Sequence, residues 1–248
     1  MILRTLLPFV LLLGAVPASA AALTVSAASS LTESFQAVAR AYEQVHPGTR
    51  VDLNFAASGV LLQQISRGAP VDVFASADLP TMERAAQRGL LLTGSRHVFA
   101  RNTLWVVVSP RTAVPPRRLQ ALADRGVQRI ALGNPDSVPA GHYAVQALRR
   151  AGVWSALEGK VIRTQNVRQS LDYVARGEVD AGFVYATDAQ AMAARVTRAF
   201  EVPVEGGIAY PLAALKGSRH PAEAQRFIAF VRSPQGQAIL RRHGFSAP

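Results

Sequence analysis

Residues Leu23–Gly59 read LTVSAASSLTESFQAVARAYEQVHPGTRVDLNFAASG, and the period of the apolar residues changes twice within that stretch. Leu23 to Ala27 is a short β-rich run. Leu31, Phe35, Val38, Tyr42 and Val45 then recur at the three-to-four-residue spacing of one helix face. His46-Pro47-Gly48 ends the helix, after which Val51, Leu53 and Phe55 alternate as a strand covered on one side.

The same unit recurs downstream. Ser58 opens a helix carrying Leu61, Leu62 and Ile65, and Arg67-Gly68 closes it with a glycine just past the end. Val71 to Ala75 is a strand, Asp78-Leu79-Pro80 starts a helix, and Arg88-Gly89 stops it. Leu104 to Ser109 is a β-branched run ended by Pro110. A proline-rich link, a short helix around Leu119 and Leu122, and a strand from Val127 to Leu132 follow. A second series runs through a helix at Pro139-Ala140, a strand at Val161-Ile162, a helix from Asn166 to Arg176 closed by Gly177, and a strand from Ala181 to Tyr185. Past Gly206-Gly207 come a strand, Tyr210 to Leu215, and two helices, one holding Phe227, Ile228, Phe230 and Val231, the other capped by Ser233-Pro234. This alternation predicts an α/β protein whose mostly parallel sheets are flanked by helices on both faces. The break at 102–116 and the glycine pair at 206 divide it into two lobes.

Composition narrows the function. Arg4, an apolar run from Leu6 to Val16 and the small residues Ala18 and Ala20 form a secretory signal peptide over 1–20, cleaved near Ala20. The run is shorter than the ~20 residues of a permanent membrane span. The mature chain is therefore expected outside the cytoplasm. The sequence has no cysteine, which excludes disulfides, thiolate metal sites, iron–sulfur clusters and cysteine nucleophiles. Net charge is +11, but the arginines (Arg67, Arg84, Arg101, Arg129, Arg163, Arg195 among them) are dispersed along the chain, without long basic runs or interleaved aromatics. They read as solvated helix faces rather than a nucleic-acid surface.

No nucleophile elbow, HExxH, Walker loop or dinucleotide fingerprint occurs. The histidines at 46, 97, 142, 220 and 243 are isolated, so no cation site and no cofactor are expected. Asp72, Asp78, Asp180 and Asp188 stand at strand ends and helix starts, as caps and loop organisers do.

What recurs is a strand ending in a small or hydroxyl residue where a helix begins, the place at which open α/β sheets bind ligands. Ser30 with Glu33 reads as a capping box, Ser58-Gly59 follows a strand, Val138-Pro139-Ala140-Gly141 leaves the N–H groups at Ala140 unpaired, Asn166-Val167-Arg168-Gln169 is a second capping box, and Tyr185 precedes Thr187-Asp188. Each taken singly is an ordinary cap. Several helix N-termini aimed at one point form an anion site without lysine or arginine.

The segments Ala27-Ala28-Ser29-Ser30-Leu31, Phe55-Ala56-Ala57-Ser58-Gly59, Gly68-Ala69-Pro70-Val71-Asp72-Val73-Phe74-Ala75, Asn134-Pro135-Asp136-Ser137-Val138-Pro139-Ala140-Gly141 and Phe183-Val184-Tyr185-Ala186-Thr187-Asp188 resemble the periplasmic molybdate-binding proteins of ABC importers, over about Leu23 to Phe245. The resemblance implies the type II periplasmic-binding-protein fold, with one lobe from 21–103 plus 207–248 and the other from 104–206, joined by crossover strands near 104 and 206. It implies that Ser30 and Ser58 donate hydroxyl and backbone N–H, Ala140 and Val167 backbone N–H, and Tyr185 its hydroxyl, to a molybdate or tungstate dianion. Molybdenum is held only as the oxyanion. It also implies a periplasmic monomer that is not an enzyme and that delivers its ligand to a membrane permease, closing its lobes on binding. Gly59 departs from relatives that carry a further hydroxyl there. The alternatives are a receptor for another tetrahedral oxyanion such as sulfate, and an exported hydrolase using Asp78, Asp136, Asp180 or Asp188.

Overall fold

The computed structural model describes residues 21–248, and the expected signal peptide at 1–20 lies outside the described residues. Two five-stranded sheets are built to one plan. The first contains β1 (Ala21–Ala28), β2 (Thr49–Ala56), β3 (Val73–Ala75), β4 (His97–Asn102) and β10 (Ile208–Ala214), in the order β2-β1-β3-β10-β4. The second contains β5 (Leu104–Val108), β6 (Ile130–Gly133), β7 (Val161–Thr164), β8 (Ala181–Tyr185) and β9 (Thr197–Val202), in the order β7-β6-β8-β5-β9.

The sheets are mixed rather than simply parallel. β1 pairs in parallel with β2 and β3, and β6 with β7 and β8, whereas β10 and β5 run antiparallel to both of their neighbours. The reversed strand in each sheet is the one arriving from the other lobe. The chain crosses at Thr103, and β5 begins where β8 and β9 end, with Leu104 opposite Tyr185 and Val202. It returns through 203–207, and β10 begins opposite Asn102, the end of β4. A strand entering a sheet from the side where the others stop can only run against them. The sequence reading did not find β4 and β9. Both are edge strands whose alternation is interrupted by exposed charges, Arg101 in one and Arg198 and Glu201 in the other, as edges commonly are.

Helices α1 (Thr32–Val45), α2 (Ser58–Ser66) and α3 (Leu79–Gln87) follow strands of the first sheet. Helices α4 (Pro139–Arg150), α5 (Trp154–Leu157), α6 (Val167–Arg176) and α7 (Ala186–Ala191) belong to the second, and α8 (Pro221–Arg232) and α9 (Pro234–Arg242) return to the first. Phe35, Val38 and Tyr42 of α1 are fully buried as the spacing predicts, but Val45, at the end of that stripe, is half exposed. The strands β1, β2, β3 and β6, β7, β8 all end toward the gap between the lobes, which sets the helix starts there.

Candidate functional site

In the first lobe a 3-10 turn, Ser29–Leu31, separates β1 from α1 and corrects the reading of a capping box. The turn shifts the start of α1 to Thr32 and the cap position to Leu31, so the Ser30 hydroxyl caps nothing; it lies 3.0 Å from Tyr210 Oη. Glu33 reaches Arg168 of the other lobe instead of the Ser30 N–H. Ser58 is the first residue of α2, and its Oγ accepts the Ala77 N–H at 3.0 Å, which leaves its own proton for another partner. Gly59 N–H donates to the carbonyl of Ser137 in the second lobe at 3.0 Å. A Cβ at Gly59 would sit 2.7 Å from that carbonyl oxygen, so the missing side chain is where the opposite lobe rests.

In the second lobe, Ala140 is the second residue of α4, behind Pro139, and the first helical bond is His142 N–H to Val138 O. The Ala140 N–H therefore precedes any acceptor within its helix. Gly141 presses on β6 so closely that a Cβ there would overlap the Gly133 carbonyl. Val167 opens α6, with Asn166 as N-cap accepting the Gln169 N–H at 3.0 Å. The second capping box is half formed, because the Gln169 side chain takes the Gln165 N–H rather than that of Asn166. Tyr185 ends β8 and its N–H donates to Asp188 at 3.0 Å. Its ring lies edge-on to Tyr210 at 5.6 Å, and its buried Oη has no hydrogen-bond partner. Burial, then the neighbouring Tyr210, push its pKa well above the ordinary tyrosine value, so it stays protonated.

Ser30, Ser58, Ala140, Val167 and Tyr185 are all at most 3% exposed. Contacts link the segments that carry them across the gap between the lobes. Ser30 meets Tyr210, which packs on Tyr185; Gly59 meets Ser137, close before Ala140; and Arg168, beside Val167, meets Glu33, close after Ser30.

Sequence reasoning missed the ion pair in that ring. Arg168 Nη1 donates to Glu33 Oε1 at 2.7 Å, and its Nε lies 2.8 Å from Asp188 Oδ1 without the alignment of a hydrogen bond. The dispersed-arginine pattern concealed this one cation, which is only 17% exposed and spans the lobes. Burial raises the Asp188 carboxyl to about 6 although Arg168 pulls the other way. That carboxylate already holds the Tyr185 N–H and faces Arg168. Asp72 takes the Thr24 N–H, Asp78 caps α3, and Asp180 takes the N–H groups of Gln128 and Arg129. These carboxylates organise loops, as read, and among the described residues no cluster of three potential metal ligands forms.

Comparison with known proteins places this geometry. The family model described as bacterial extracellular solute-binding protein matches residues 23–246. A molybdate-binding protein of Escherichia coli strain K12 is 34% identical over 232 residues, covering 90% of this chain and 88% of that protein. One of Mycobacterium bovis is 35% identical over 233 residues, covering 92% and 86%. The solved periplasmic molybdate-binding protein of Azotobacter vinelandii superposes with a TM-score of 0.82 at 27% identity, over 91% of this chain and 99% of that one.

Proposed function

The chain belongs to the bacterial extracellular solute-binding proteins, and from that premise we propose that it is the periplasmic receptor of a molybdate importer. It captures molybdate, and also tungstate, between its lobes and presents it to the permease of an ABC transporter. The exported chain loses residues 1–20 and acts as a monomer.

One observation carries the reading: the Tyr185 hydroxyl, a proton donor wholly buried between the lobes, has no partner in the protein. An unpaired buried hydroxyl costs about 1–3 kcal/mol, so its position calls for an acceptor from outside. The groups around it are donors too. Hydroxyl and N–H of Ser30 and Ser58, the N–H groups of Ala140 and Val167, and the Tyr185 hydroxyl supply about seven donors, at roughly 1.5–3 kcal/mol for each bond to a charged group. The N-terminus of a helix such as α2, α4 or α6 adds about 0.3–2 kcal/mol. Together they offset the several kcal/mol needed to strip an anion of water. The donors at these five residues suit a fully deprotonated oxyanion and give the O–H of a protonated one no acceptor. The hydrolase reading finds no support, since Asp78, Asp180 and Asp188 are engaged by backbone N–H groups.

Calorimetry of the chain from Ala21 against molybdate, tungstate, sulfate and phosphate tests this. Molybdate and tungstate are expected to bind tightly and alike, sulfate weakly; absence of molybdate binding would refute the proposal. Tyr185→Phe is expected to weaken molybdate by about 1–3 kcal/mol. Trp105, whose Nε1 donates to Thr103 at the crossover, reports lobe closure by fluorescence.

A further inference from the structure

We propose that Asn102 and Tyr210, neither of them an expected ligand, fix the direction in which Ser30 offers its proton and thereby make the site refuse protonated oxyanions. The inference rests on the oxyanion reading above and adds to it the residues that set selectivity.

The argument begins at the crossover. Asn102 is the last residue of β4, and its Oδ1 accepts the Thr103 N–H at 2.9 Å. That bond fixes which end of the amide is oxygen, leaving both protons of Nδ2 to point elsewhere. One goes to Thr187 Oγ1 in the second lobe at 2.9 Å, the other to Tyr210 Oη at 3.3 Å. Tyr210 is fully buried, and its oxygen, having accepted from Asn102, still carries its own proton. The hydroxyl within reach is Ser30 Oγ at 3.0 Å. If Ser30 donated to Tyr210 instead, the Tyr210 proton would be left unpaired in a sealed interior, at the cost such a group carries. The chain of donation therefore runs Asn102 to Tyr210 to Ser30, and Ser30, having accepted, directs its one proton into the site.

The Ser58 hydroxyl is held to the same sense, since its oxygen accepts from the Ala77 N–H and its proton is left for the site. A serine that gave its proton to Tyr210 would turn only lone pairs toward the ligand and so favour the O–H of hydrogen phosphate. Ser30 loses that option only through Tyr210 and Asn102, which are positioning residues rather than ligands.

The test uses the mature protein and follows molybdate binding by calorimetry and by the Trp105 signal, alone and in competition with excess inorganic phosphate near pH 8. Tyr210→Phe keeps the ring and removes the relay. It is expected to weaken molybdate about tenfold, one charge-assisted bond's worth, while phosphate competes more effectively than in the wild type. Asn102→Ala is expected to lose a similar factor in the wild-type background and almost nothing further in Ser30→Ala, because it acts through Ser30. A molybdate-to-phosphate ratio unchanged within twofold in Tyr210→Phe overturns the proposal. So do losses from Asn102→Ala and Ser30→Ala that simply add, the result of a merely structural role. If Tyr210→Phe does not fold, the Asn102 and Ser30 cycle decides alone. Wild-type protein that binds neither anion refutes the oxyanion reading before any variant is made, so the two failures are distinct.

Discussion

The two lobes share a strand order and a reversed crossover strand, yet they equip the site by different means. In the proposed site the first would offer side-chain hydroxyls, Ser30 and Ser58, whose protons can turn, and it sets Tyr210 Oη against one and the Ala77 N–H against the other. The second would offer N–H groups at Ala140 and Val167, whose direction is fixed by the backbone at the starts of α4 and α6. Tyr185 is its one hydroxyl, held by packing against Tyr210. Hydroxyl sites must be polarised, whereas backbone sites must be placed.

That contrast is sharpest at Gly141. Alanine there would drive α4 off β6, and we expect a loss of about 3 kcal/mol, the upper range for overpacking, seen as a melting temperature lower by roughly 6–12 °C. Ala140→Ser, which changes only the side chain of a backbone donor, should leave far more stability; equal loss would break the comparison.

Next is Asp188, which steadies the end of the Tyr185 strand. Its folded value, about 6, lies above the ordinary 3.8, so the folded chain keeps a proton that the unfolded chain has released. Its contribution is present below 3.8 and lost as pH rises through about 6, on the order of 3 kcal/mol. In denaturant titrations Asp188→Asn should therefore lose less stability than the wild type as pH rises across that window. Parallel pH profiles would show that the carboxyl is not held as described.

Gly59→Ala probes the meeting of the lobes rather than either lobe alone. The added Cβ, 2.7 Å from Ser137 O, opposes closure, and about tenfold weaker molybdate binding is expected with the ligand-free melting temperature unchanged. A matching fall in stability would place the clash inside one lobe. The smallest effect belongs to Glu33→Gln, which weakens an ion pair whose carboxylate is 43% exposed. Binding should fall by no more than about 1 kcal/mol, and less at high salt.

The sequence was most legible where chemistry is local. Asp78, Asn166 and Ser233 cap the helices read from them, Gly177 closes α6 in the left-handed conformation, and β8 spans Ala181–Tyr185 as expected. It was least legible where a residue's partner is distant in the chain. Ser30 looks like a cap until Tyr210, 180 residues away, meets its hydroxyl. Arg168 looks like one more surface arginine until Glu33, 135 residues back, meets it.

Periodicity and caps thus sufficed for the α/β class, the lobes and the helix starts that carry candidate donors, because each depends on residues within a turn or a strand of one another. Tertiary structure alone settled the reversed crossover strands, the seating of Ser137 against Gly59, the buried ion pair and the meeting of Ser30 with Tyr210. These depend on which groups long-range folding brings within 3 Å, and a hydrogen bond's direction belongs to its whole network rather than to any one residue in it.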